Sequence, residues 1–175
     1  MRSYFNGGNG LAIAAVTRAA SVFDNPEWLA LAERAFAAIT TKLAASDSGG
    51  SVSELTASGS RLFHSYRAGL AKAPATASDY ANMTWAALRL FSATQSESYL
   101  AQAQRWADVL DQHYWDGESG GYFTAADDTT DVVVRLKTAS DDAVPSANAI
   151  QLANLIALAA LTGDSRYDNR ARQLV

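Results

Sequence analysis

The sequence predicts an all-α fold of the α/α-toroid type: an arc of about three helical hairpins, with short β-hairpin insertions at one rim. Three observations carry that prediction. Leu11 to Phe23, Asp79 to Ala93 and Ser146 to Leu161 are apolar on nearly every side, as buried helices are. Each is followed, after a short break, by a stretch that is apolar on one side only. Aromatic residues near the start of those partners, Trp28, Tyr99 and Tyr167, set a period of roughly 70 residues, the mark of a stacked repeat. Apolar helices inside and amphipathic helices outside make two layers. Residues 1–175 are therefore read as one toroid domain, an arc and not a closed ring, with helix far above the ordinary third.

Taken in order, residues 1–9 are polar and glycine-rich and read as a loop, with the first inner helix opening near Gly10. Asp24-Asn25-Pro26 ends that helix and starts the next, with Asn25 as N-cap and Pro26 at the first helical position. The outer helix then carries Trp28, Leu29, Ala32, Phe36, Ile39 and Leu43 on one face. Ser46 to Gly59 is a Ser/Gly-rich loop, and Arg61 to Arg67 is a short aromatic-bearing strand. The second inner helix opens near Asp79 and its outer partner at Glu97. Gly121 to Thr124 and Asp131 to Lys137 are read as rim strands. The third inner helix opens near Ser146, Gly163 caps its end, and Asp164 caps an outer helix starting at Ser165. An arc leaves two flanks uncovered, with Leu11, Ile13 and Val16 at one end and Leu155, Leu158 and Leu161 at the other. A homodimer about a twofold axis is expected to close the ring over them.

Composition narrows the function. Net charge is −4 with a pI near 5.0 and no basic run, so nucleic acid is not the expected partner. The absence of cysteine removes disulfides, thiolate metal sites and thiol redox chemistry. With only two histidines, His64 and His113, no metal site is expected. No phosphate-cradling loop or Ser-His-Asp arrangement is visible, and no cofactor is expected. The longest apolar run, Leu155 to Leu161, falls far short of the ~20 residues of a membrane span. Leu11 to Val16 faintly resembles a signal core, but Asn6 to Asn9 and Thr17-Arg18 interrupt it. A cytoplasmic location is therefore expected.

Chemistry is sought where Val133 to Ala160 passes from an extended stretch into the third inner helix. Asp141 and Asp142 lie just before that helix and Asp79 opens the second. A carboxylate pair drawn from them would suit general acid–base work on a sugar, and acids at helix starts equally serve as caps. Arg135 and Lys137, two apart on an extended stretch, share one side. They suit a ligand carboxylate or phosphate, or a structural latch onto Asp116 or Asp141. His64 is a natural proton shuttle, or simply a packed residue. Tyr80 and Trp85 follow Asp79 on the inner helix as binding candidates. Trp115, Tyr122 and Phe123 around Gly120-Gly121 suit a sugar-stacking platform or ordinary turn packing. Ser146 lies at the mouth of the third inner helix. Asn148, Gln151 and Asn154 form a polar stripe for the central cavity or for loop backbone.

The ordered strings NGLAIAAVTRAA (Asn9 to Ala20), DYA with Trp85, WDGESGGYF (Trp115 to Phe123) and VRLKTASDDAVPSAN (Val134 to Asn148) resemble one family. It is the helical domain of thioredoxin-domain-containing proteins related to the spermatogenesis-associated proteins. Those are similar in fold to six-hairpin glycosidases and N-acylglucosamine-epimerase-like enzymes. The chain departs from the pattern in Asp142, which replaces a glycine, in PSAN for a PSGN-type turn, and in lacking the tryptophan before the first Asn-Gly. The resemblance implies that residues 1–175 are the C-terminal half of a six-hairpin toroid that binds or transforms a small sugar-like ligand. The alternative is a non-enzymatic scaffold serving an upstream thioredoxin-like domain.

Overall fold

The structure, a computed structural model, describes residues 3–43, 61–130 and 132–175. The expected loop from Ser46 to Gly59 lies outside the described residues. Within them, six helices form three hairpins: α1 (Asn6–Val22) with α2 (Pro26–Leu43), α3 (Ala77–Thr94) with α4 (Glu97–His113), and α5 (Ala147–Thr162) with α6 (Ser165–Leu174). Three short strands, β1 (Ser3–Phe5), β2 (Phe63–Arg67) and β3 (Leu70–Pro74), make an antiparallel sheet in the order β1-β2-β3. Helices α1, α3 and α5 lie side by side, and each has its own hairpin partner against it. This is a partial α/α toroid with α3 at its centre.

Local chemistry explains the boundaries. The Asn25 side chain accepts from the Glu27 and Trp28 amides at 3.1 and 3.2 Å, so α2 starts at Pro26. Ser146 and Asp164 cap α5 and α6 through side-chain oxygens, and Gly163 ends α5 at φ 70°, a conformation that suits glycine. Helix α1 begins four residues ahead of Gly10, because β1 pairs with β2 and delivers the chain directly into the helix. Helix α3 begins at Ala77 with Thr76 as N-cap; Asp79 completes a capping box instead of opening the helix.

The inner helices advance in the same direction. Gly7 lies against Ser78 and Asp79, and Gly10 against Asn82. At Gly10 the approach is close enough that an added Cβ would sit 2.7 Å from the Asn82 backbone. On the other side, Asn154 of α5 donates to the Ala81 carbonyl of α3 at 2.8 Å. The core behind α3 is aromatic. Phe36 packs edge-on to Tyr99 at 5.3 Å between ring centres and lies 5.7 Å from Trp106. The Tyr80 and Tyr114 rings lie 5.6 Å apart. Burial pushes the Tyr80 phenol up to about 12 and that of Tyr114 higher still.

Three expectations require correction. Asp131 lies outside the described residues, and the rest of the stretch to Lys137 is irregular chain with a bend at Val133-Val134, not a strand. Val133 is fully exposed and Val134 68 % exposed, so the β-branched run has no layer to pack against. Gly121 to Thr124 contributes only an isolated bridge, Trp115 to Tyr122. The third concerns the flanks: Ile13, Leu155 and Leu158 are core residues, not surface ones. Helix α5, apolar all round, buries only part of its circumference, while Ile156 is 57 % and Leu161 46 % exposed. Among the described residues no helix is long and apolar enough to cross a membrane.

Candidate functional site

The N-terminal end of α3 holds a histidine–carboxylate pair. Strand β2 brings His64 over the helix start, where its Nδ1 lies 2.7 Å from Oδ2 of Asp79. Asp79 is buried at 1 % exposure, whereas the His64 side chain is 42 % exposed. The same carboxylate accepts from the Thr76 amide at 2.7 Å, the Thr76 hydroxyl at 2.9 Å and, through Oδ1, the Gly7 amide at 2.7 Å. Four donors from three segments therefore fix one carboxylate. An acceptor on Nδ1 places the imidazole proton there and the lone pair on Nε2.

Tyr80, one residue on, points the other way. It is fully buried and its hydroxyl accepts from the Leu62 amide at 2.8 Å, tying the entry to β2 onto α3. Trp85 lies on the accessible face. Ahead of its last two residues, α3 is accessible only along Ser78, Trp85, Arg89 and Ser92. That spacing is one helical face, and α1, α4 and α5 pack against the rest of the helix. Between it and α5 runs a groove of about 100 Å³, lined by Trp85, Arg89 and Ser92 from α3 and by Ala153, Asn154 and Leu161 from α5. The Arg89 guanidinium lies 5.8 Å from the centre of the Trp85 ring. Arg89 was not among the residues singled out from the sequence. Its signal was there: it is the only basic residue between Asp79 and Ala93 on an otherwise apolar helix.

The remaining candidates form a second group at the rim, and no hydrogen bond or ion pair among the described residues joins it to Asp79. Lys137 binds Asp116 at 2.6 Å, the Ser119 hydroxyl at 2.6 Å and the Gly120 carbonyl at 2.9 Å. The contacts Asp116 makes, that of the Lys137 ammonium first, hold its carboxyl well below the usual range. Arg135 donates to the carbonyls of Ala125 and His113 at 3.0 and 2.8 Å. Both cations share a side, over the Phe123 ring at 4.2 and 5.2 Å. Asn148 accepts from the Tyr122 amide at 2.7 Å and donates to the Tyr122 and Thr138 carbonyls. Asp141 accepts from the Ser146 amide at 2.8 Å, Ser146 caps α5, and Asp142 is exposed. The Arg170 guanidinium covers a face of Trp115 at 4.0 Å, and the hydroxyl of buried Tyr122 donates to Asp111. Gln151 and Asn154 are buried in the α3–α5 joint.

His113, Asp127 and Asp128 also meet, with one ligand-type atom from each within 4.8 Å of the others. Arg61 forks onto both oxygens of Asp128 at 2.9 and 3.1 Å, and His113 bonds Asp127 at 2.9 Å. The cluster is an ion-pair latch between the segment before β2 and the end of α4.

Fold and site together define a segment of an α/α toroid whose central inner helix carries a His–Asp pair at one end and a Trp–Arg groove along its accessible face. No family profile matches the chain. In sequence it is 43 % identical over 86 residues to spermatogenesis-associated protein 20 of Rattus norvegicus, and 38 % over 86 residues to that of Homo sapiens. Those matches take in 49 % of this chain and 11 % of the relatives, so the chain spans about a tenth of the length of the curated relatives it matches. Among solved structures, cellobiose 2-epimerase from Spirochaeta thermophila superposes with a TM-score of 0.71 at 18 % identity, over 98 % of this chain and 42 % of that one. The GH76 α-mannanase BT2949 of Bacteroides thetaiotaomicron gives 0.70 at 16 % identity, over 99 % and 44 %. At these identities the likeness is one of fold.

Proposed function

We propose that this chain binds and transforms a carbohydrate-like molecule on the accessible face of α3, with His64 as proton carrier and Asp79 as the carboxylate that orients it. The observation that carries the reading is the pair itself: a buried, four-donor carboxylate on Nδ1 of a partly exposed imidazole. Nε2 then accepts a proton, and Asp79 stabilises the imidazolium that forms. Removing a proton from the carbon next to the carbonyl of an open-chain sugar is the step that epimerisation and isomerisation share. A glycosidase needs two carboxylates roughly 5–9.5 Å apart. Here Asp79 is paired with an imidazole and Asp141 is taken by the α5 cap, which favours proton transfer over hydrolysis. The sugar-acting fold neighbours support the substrate class by analogy.

Incubation with cellobiose and with mannose in D2O, followed by proton NMR, tests this. Deuterium should enter at C2, and His64→Gln should slow its entry by about 10²–10⁴-fold, the usual worth of a positioned base. A wild-type chain that exchanges nothing in either sugar refutes the reading.

The second reading, a scaffold that partners a thioredoxin-like domain, is favoured by the bonds Asp79 makes to Thr76 and Gly7, which are structural in any case. In both readings a second copy completes the ring. The accessible stripes Gly8, Ala12, Ala15 and Val22 on α1 and Ala149, Ala153, Ile156 and Ala160 on α5 match in character. The chain covers 42–44 % of those neighbours, so two copies amount to most of one toroid. Light scattering should give twice 18.6 kDa at micromolar concentration, and a monomer there removes the dimer.

A further inference from the structure

We infer that the groove between α3 and α5 is a subsite for one monosaccharide bearing an anionic group, a carboxylate or a phosphate. The inference rests on the carbohydrate reading above and adds to it a separate ligand subsite on the same helix. Three observations converge. Arg89 donates no hydrogen bond and forms no ion pair among the described residues, and its one neighbour of note is the Trp85 ring. Arg61, Arg135 and Arg170, by contrast, each bind a carboxylate or a carbonyl. A guanidinium has five N–H donors in a fixed fork and matches a carboxylate or phosphate in bidentate fashion.

Asn154 supplies the second observation. It lines the same groove at 1 % exposure, and its amide nitrogen is taken by the Ala81 carbonyl and by Gln151. That assignment turns Oδ1 into a buried acceptor with no partner among the described residues. Buried acceptors are rarely left unpaired. What this one lacks is a donor, which an anionic group cannot supply and a sugar hydroxyl can. Arg89 and Asn154 thus ask for the two different ends of one molecule, an acid and a hydroxyl.

Size and surface decide the rest. The groove, at about 100 Å³, has no room for an oligosaccharide. Sites for drug-sized ligands begin at roughly 300 Å³. Trp85 offers an aromatic face on which the C–H side of a pyranose stacks, beside the guanidinium that holds the acid. Asp79 and Arg89 lie ten residues apart on the same helix. At the helical rise that is about 15 Å along the axis, so one ring held at Arg89 does not reach the His–Asp pair, and the subsite is a second, separate station on that inner helix.

The test is binding, read by Trp fluorescence and calorimetry, with glucose, glucuronate, glucose 6-phosphate and inorganic phosphate on the full chain. At least one of the two acidic sugars should bind at least tenfold more tightly than glucose, and whichever does so identifies the acid. Arg89→Gln should erase that preference, bringing the acidic sugars down to the affinity of glucose. Binding is read without turnover, so failure of the subsite is separate from failure of the chemistry, which the deuterium exchange reports. Equal affinity for glucose and both acids, or a preference that survives in Arg89→Gln, overturns the proposal. So does inorganic phosphate binding as tightly as glucose 6-phosphate, since then no hydroxyl is being read.

Discussion

Asp79→Ala should destabilise the chain by about 3 kcal/mol, since it deprives the Gly7 and Thr76 amides of a buried acceptor and dismantles an N-cap worth about 1 kcal/mol by itself. For a chain of this length that lowers the melting midpoint by roughly 6–12 °C. Asp79→Asn keeps the shape but turns a nitrogen toward donors, so it should fall between wild type and Asp79→Ala. His64→Gln should cost far less, because that side chain is 42 % exposed. Circular dichroism melts give the order directly. The same variants separate the two readings of function. If Asp79 positions the imidazole, Asp79→Asn loses deuterium exchange at temperatures where it is fully folded. If it only caps α3, exchange or binding falls in proportion to the folded fraction and no further.

The second large effect is at Gly10. A Cβ there would meet the backbone carbon and oxygen of Asn82 at 2.7 and 2.8 Å, and a backbone cannot step aside as a side-chain tip can. Gly10→Val should therefore cost about 3 kcal/mol or more by forcing α1 away from α3. Gly10→Ala should cost about 1 kcal/mol, since better helix propensity offsets part of the overpacking. Gly8 is the control. Nothing lies within 4 Å of a Cβ there. Gly8→Ala should accordingly stabilise by up to about 1 kcal/mol. Opposite signs for two glycines two residues apart, read from urea midpoints, would locate the helix contact at Gly10. Equal signs would show that α1 and α3 are not packed through it.

What the sequence determined by itself is what depends on near neighbours. Periodicity separated inner from outer helices, and Asn25-Pro26, Ser146 and Gly163-Asp164 marked ends through bonds to residues two to four away. The stretch at 133–137 was legible only in part. Its alternation does put Arg135 and Lys137 on one side, over Phe123, but a strand needs a partner, and that is not written in its own residues. Strand β3 went unseen for the converse reason: LAKAP has little β character, and pairing with β2 makes it a strand.

The tertiary structure decided how the polar groups are used. Sequence spacing left Asp79 either a cap or a reactive carboxylate, and the fold has it bond the cap and His64 at once. It assigned Lys137 and Asn148 to the rim loop through contacts 21 and 26 residues away, beyond the reach of any periodic pattern. It also divided α5 into a buried side with Leu155 and Leu158 and an open side with Ile156 and Leu161. Hydrophobicity records which side chains gain by leaving water; only the arrangement of neighbouring helices determines which of them do.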